Sequence, residues 1–247
     1  MDYAGDIETE FQYGAYDTLL ECVAFNPWTA NVLTFGGTTR KTLSVLRGFT
    51  DNNDYHTFSG LHANQFKLTV PENGLITATF SFMGMGRAKA TAAPAGTITS
   101  AMSSPLMSSV SIGDILIDGA VIAGACITQF DFTWDNSMQV QRCLGKGLNI
   151  GAILEMVAGG TGNFTVAWSQ NTSLLYEKQF LNIPIALSIP MADSDGNKYV
   201  LALPKVQVTA PLPSSGNSEI TSSQFAYTVA DVAPTLTRMP VAVGGGS

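Results

Sequence analysis

The sequence predicts a mainly β protein built from two tandem copies of one unit: strand, short helix, hairpin, strand, strand. Two observations lead to it. Apolar and polar residues alternate with period two over many short segments, the signature of half-buried strands. The order of these segments then repeats, with Leu43, Tyr55 and Ile76 matched 144 positions later by Leu187, Tyr199 and Ile220. An internal repeat is stronger guidance to architecture than any local motif.

The first unit opens with Gly5 to Tyr13, where Ile7, Phe11 and Tyr13 mark one face. Its counterpart is Gly162 to Gln170, with Phe164, Val166 and Trp168. Each strand runs into a helical signal. Asp17 or Thr18 can cap the first, Glu21 completes a capping box, and Cys22, Val23 and Phe25 supply an apolar face. The second runs from Thr172 to Glu177 and closes at Phe180. A hairpin follows in each copy, turning at Asp51-Asn52-Asn53-Asp54 and at Asp193-Ser194-Asp195-Gly196-Asn197, residue types that tolerate tight and left-handed backbone. Further strands are expected over Phe66–Val70 and Ile76–Phe82, and over Lys205–Thr209 and Ile220–Val229.

The predicted domains are a first repeat over 1–87, a linker or arm over 88–111 rich in Ala, Ser, Thr and Pro, a second repeat over 112–240 and a flexible tail over 241–247. The second copy is preceded by strands at Ile112–Ile117 and Ala125–Trp134 that have no equivalent before the first. The first repeat therefore reads as lacking its leading strands, or as borrowing them.

Composition narrows the function. Only 13% of the 247 residues are charged, about half the usual share, while 45% are hydrophobic. Such a surface suits sheets that become covered by neighbouring subunits. The net charge of −7 argues against a protein that grips nucleic acid, which requires Lys and Arg to neutralise phosphates. The opening Met-Asp-Tyr-Ala-Gly-Asp has neither the basic nor the apolar region of a secretion signal, and no apolar run is long enough to span a membrane.

No motif carries catalysis, and no cofactor or metal is expected. Cys22, Cys126 and Cys143 lack metal-ligand spacing and read as core residues or free thiols. Asp193 to Asn197 resembles the opening of a calcium loop but has no distal Glu, so a hairpin turn is the better reading. His56 and His62, the only histidines, read as surface or intersubunit residues. Gly84-Met85-Gly86-Arg87 and Gly145-Lys146-Gly147 lack the spacing of a phosphate loop and read as turns. Trp28, Trp134 and Trp168 read as core or interface aromatics.

Residues 5–21, Gly-Asp-Ile-Glu-Thr-Glu-Phe-Gln-Tyr-Gly-Ala-Tyr-Asp-Thr-Leu-Leu-Glu, resemble the strand-to-helix segment of siphophage-type tail tube proteins, the major tail protein family. So do Arg47–Asp51 leading to Phe58-Ser59-Gly60, then Thr79–Gly84, then Gly113–Gly119, in the same order. The resemblance implies a β-sandwich or half-barrel with a short flanking helix, whose inner strands pair between subunits to close a barrel around a channel. It implies a virion structural subunit made in a bacterial host, with itself and other tail proteins as partners and DNA in transit. A duplicated chain favours a trimeric ring with pseudo-sixfold symmetry, with a hexamer as alternative. On that reading Asp6, Glu8 and Glu10, at alternate positions and therefore on one face, are candidate lumen-facing residues. A solvated outer face is the competing interpretation. The other function class kept open is a β-sandwich adhesin or receptor-binding module.

Overall fold

The computed structural model describes residues 3–97, 99–124, 126–145, 150–213 and 220–241. The expected tail over 241–247 and the Gly145-Lys146-Gly147 turn lie largely outside them. The elements are β1 (Tyr3–Glu10), α1 (Asp17–Ala24), β2 (Val32–Thr34), β3 (Leu43–Phe49), β4 (Asp54–Val70), β5 (Thr77–Gly84), β6 (Gly86–Ala90), β7 (Leu116–Ile117), β8 (Ile127–Asp135), β9 (Gln139–Gln141), β10 (Ala152–Leu154), β11 (Gly159–Ala167), α2 (Gln170–Glu177), β12 (Ile185–Ala192), β13 (Lys198–Thr209), β14 (Ser222–Val229) and β15 (Thr235–Met239). The protein is mainly β, as the sequence predicts.

One antiparallel sheet runs in the order β1-β5-β4-β8-β11-β14-β13-β12-β7, while β9 and β10 form a separate ribbon. Strict alternation explains its one-sidedness. Along β5 every second residue, Ala78, Phe80, Phe82 and Gly84, is buried and Thr77, Thr79 and Ser81 lie on the other side. The buried side continues from Ile7 to Phe80, Phe66 and Trp134 in consecutive strands. Leu20 and Val23 of α1, Leu175 of α2, Phe35 and Met107 belong to the same core.

A buried asparagine ties the layers together. Asn136 donates from Nδ2 to the carbonyls of Val23 (2.9 Å) and Ala63 (3.0 Å), and its Oδ1 accepts from Trp134 Nε1 at 2.9 Å. These bonds satisfy an otherwise costly buried amide and fix the end of α1 against β4 and β8. Within 88–111, β6 carries strand to Ala90, and Met107 is fully buried, bridging Phe11 and Ile76 through main-chain bonds of 3.0 and 2.9 Å. That end of the segment is woven into the sheet.

The strand order β1-β5-β4-β3 is matched by β11-β14-β13-β12. In each set a last strand, β6 or β15, pairs with the beginning of the long hairpin strand. Equivalent bonds fix the correspondence: Phe11 N–H donates to Ile76 O, and Trp168 N–H to Thr221 O, both at 2.8 Å. Ile76 thus corresponds to Thr221, one place from the Ile220 that the sequence spacing selects, and Ile220 is 86% exposed. Val45 lies opposite Phe58 and Ile189 opposite Leu201, so His56, not Tyr55, occupies the place of Tyr199. Turns and bulges of unequal length move the register by single residues while preserving strand order. β8 lies between the two sets, paired with β4 on one side and β11 on the other.

Candidate functional site

The sheet face opposite the core is polar across six strands. A single cross-strand row reads Glu8, Thr79, Lys67, Thr133, Thr161 and Thr228. Asp6 and Glu10 flank Glu8 on the same face of β1, opposite Ser81 and Thr77, and all three acids are exposed. Period-two geometry puts them there, because Gly5, Ile7 and Thr9 take the other side against β5. The expected placement of the three acids on one face follows from the same alternation.

Other strands add Asp131 and Asp135 of β8, whose positions at the polar points of Phe130-Asp131-Phe132-Thr133-Trp134-Asp135 are visible in the sequence as alternation. Gln129 Nε2 donates to Asp131 Oδ2 at 3.3 Å, and Asp135 accepts from Gln65 Nε2 at 3.1 Å and from Ser137 N–H at 2.7 Å. Set against Asp6, Glu8, Glu10, Asp131 and Asp135, only Lys67 contributes positive charge along these rows. The face is therefore acidic and rich in hydroxyl and amide groups. Which strands adjoin was not readable from the sequence, so Lys67, Asp131 and Asp135 escaped the candidate set.

The face ends at an open edge. β1 pairs only with β5, and among the described residues no strand takes its other side. Its counterpart β11 is flanked on both sides, by β14 and by β8. An uncovered edge of eight residues is a template for pairing with another chain.

Where the second strand set meets the first, the contact is polar at its centre and aromatic around it. Tyr199 is fully buried, donates from Oη to Asp17 Oδ1 at 2.5 Å and accepts from Gly14 N–H at 2.9 Å. Its ring lies 5.3 Å from Phe11, 5.0 Å from Tyr13 and 6.2 Å from Trp28. Burial, with the Asp17 carboxylate beside it, pushes the Tyr199 phenol well above its usual range. Arg238 of β15 pairs with Asp17 and its guanidinium lies 4.3 Å from the Trp28 ring centroid. Asp17 is thus committed to this contact, and the residue before α1 is Tyr16, which makes no side-chain cap. Glu21 accepts from Lys41 and from the Trp28 N–H at 3.0 Å; burial works against its charge, but these donors hold its carboxyl below the usual range.

The remaining sequence candidates have structural partners. Asp193 is spent on its own hairpin, accepting from Asn197 N–H at 2.8 Å and Asn197 Nδ2 at 2.9 Å. His56 contacts Arg87 and Asp54, and His62 Nδ1 lies 2.9 Å from Gly60 O. Among the described residues no group of three His, Cys, Asp or Glu side chains is placed to hold a metal ion, and no helix is long and apolar enough to cross a membrane.

A one-sided sheet with a polar face and an open strand edge is the architecture of a β structural protein rather than of an enzyme site. The family model described as phage tail tube protein matches residues 1–232, and the chain belongs to that family. It is a structural, non-enzymatic subunit of the phage tail that self-assembles into a tube, a component of the virion assembled in the host cytoplasm. Among curated proteins none matches the chain.

Proposed function

We propose that three chains close into a ring, that rings stack into the tube, and that the polar sheet face lines a channel through which DNA passes during ejection. The observation that carries this reading is the open edge of β1 at the border of a continuous polar face. Ring closure pairs every such edge and places all copies of that face around one axis. Each chain contributes two copies of the tube unit, over 1–87 and 112–240 with 88–111 between them, giving pseudo-sixfold symmetry in a trimer.

Function then follows from electrostatics. Carboxylates on the wall repel phosphates over a screening length of about 10 Å at 0.1 M salt, while hydroxyl and amide side chains keep the wall wetted. Along the described rows the one ammonium, Lys67, is outnumbered by five carboxylates, too little positive charge to hold a phosphate backbone in place. DNA therefore moves without being bound. Asp6, Glu8 and Glu10 are assigned to this wall.

Negative-stain electron microscopy of the purified protein across a concentration series tests the proposal. Hollow rings or tubes with threefold subunit symmetry are the expected result. Compact monomers persisting at high concentration would overturn it.

A further inference from the structure

We infer that the three-stranded arm formed by β3, the first half of β4 and β6 docks onto α2 and the turn after it in a neighbouring chain. This rests on the ring reading above and names the surfaces that close the ring. Within one chain, the equivalent arm of β12, the start of β13 and β15 already packs on α1. Tyr199 and Arg238 of that arm are held by Asp17 and Trp28. The same operation that carries the first strand set onto the second carries this contact to the junction between chains. There the arm belongs to the first set of one chain, and the helix to the second set of the next.

Both halves of that junction are uncovered in the single chain. On the helix side, Leu174 is 63% exposed, Phe180 65% and Leu181 66%, whereas Trp28 after α1 is covered by Arg238 and Tyr199 of the arm. These apolar residues adjoin an aromatic ladder, with Trp168 and Tyr176 rings 5.8 Å apart and Tyr176 and Phe180 rings 5.2 Å apart. Clustered apolar exposure of this kind marks an interaction surface. On the arm side, Phe49 is 44% exposed and caps a face carrying Arg47, His56 and Lys89.

Register supplies the correspondences. His56 takes the place of Tyr199, and Lys89 pairs with His56 as Arg238 pairs with Tyr199. Phe180 follows the end of α2 at Glu177 as Trp28 follows the end of α1 at Ala24. Lys89 over Phe180 thus stands in for Arg238 over Trp28, a cation over an aromatic face. The chain between α2 and β12 is too short to hold a counterpart of β2, so the contact is made by side chains alone. Because the two surfaces differ, the interface is heterologous, and it closes into a ring when the rotation does.

The experiment replaces Phe49 with photoreactive benzoylphenylalanine and irradiates assembled protein, mixing isotopically labelled and unlabelled chains so that interchain products are distinguished by mass. Cross-links from position 49 to residues 168–183 of a different chain are expected. Leu174→Arg with Phe180→Asp, at exposed positions, is expected to leave the far-ultraviolet spectrum of the monomer unchanged and to raise the concentration for half-assembly at least tenfold. Rings that form normally with both substitutions, or whose cross-links map elsewhere, overturn the docking while leaving the ring intact. Wild-type protein that forms no rings overturns both readings.

Discussion

Replacing Asp6, Glu8 and Glu10 together by lysine turns three carboxylates into three ammonium groups. Taken with Lys67, Asp131 and Asp135, these six groups then change from −4 to +2 per chain. The three positions are exposed and lie opposite Ser81, Thr79 and Thr77, so folding is expected to change by no more than about 0.5 kcal/mol per site. The consequence falls on DNA. If each lysine engages one phosphate, the slope of log affinity against log salt is about −0.9 for each, or roughly −2.7 per chain. A rise from about 50 to 200 mM salt then weakens the acquired binding about forty-fold. The assay is the rate of triggered DNA release from virions carrying the variant, at both salt concentrations, with urea or thermal unfolding of the monomer as control. Slow release at low salt that recovers at high salt is expected. Normal particles that release DNA at the wild-type rate at both concentrations would refute the assignment of these residues to the wall.

Three further outcomes follow from the packing. Gly162→Ala places a methyl group 2.1 Å from Asp131 O and 2.4 Å from Tyr227 Oη, where the phenol donates to that carbonyl at 2.7 Å, and is expected to cost about 3 kcal/mol or more in denaturant titration. Tyr199→Phe removes the donor to Asp17 and the acceptor for Gly14 N–H in a buried site, and is expected to cost about 1–3 kcal/mol without changing the far-ultraviolet spectrum. Glu21 has its carboxyl held below the usual range, so its ion pair stabilises the fold above the unfolded carboxyl value near 4.5 and is lost as pH falls through the lower folded value. Glu21→Gln is accordingly expected to lower Tm at pH 7, with the gap to wild type closing as pH falls past the unfolded value and through the lower folded one in a thermal-denaturation series.

Much of this fold is legible because it is written in alternation. Phe80 and Phe82 against Thr79 and Ser81, or Phe130, Phe132 and Trp134 against Asp131 and Thr133, specify both the strand and the side that is buried. The same rule set Asp6, Glu8 and Glu10 together. What alternation does not specify is which strands adjoin. β8 comes between β4 and β11, strands far apart in sequence, and so Lys67, Asp131 and Asp135 joined the polar face only once pairing was known.

Local propensity also gave way to tertiary demand. Asp17 has the character of a helix cap, yet Tyr199 and Arg238 claim its carboxylate from the far end of the chain. Conversely Ser169, outside the expected helix segment, caps α2 by accepting from Thr172 N–H at 3.2 Å. The short strands β2 and β15 carry too few residues to show a period, and β15 is the one strand among the described residues with which β2 pairs. The repeat was readable in its order but not in its register, because unequal hairpin turns and bulges move matched residues by one position.

The most direct test is a cryo-electron microscopy reconstruction of the assembled tube, resolved well enough to trace β1 and to count chains per ring. Expected are three chains per ring with Asp6, Glu8 and Glu10 pointing toward the axis beside Lys67, Asp131 and Asp135. A tube in which this polar face points outward, with another surface lining the channel, would contradict the account.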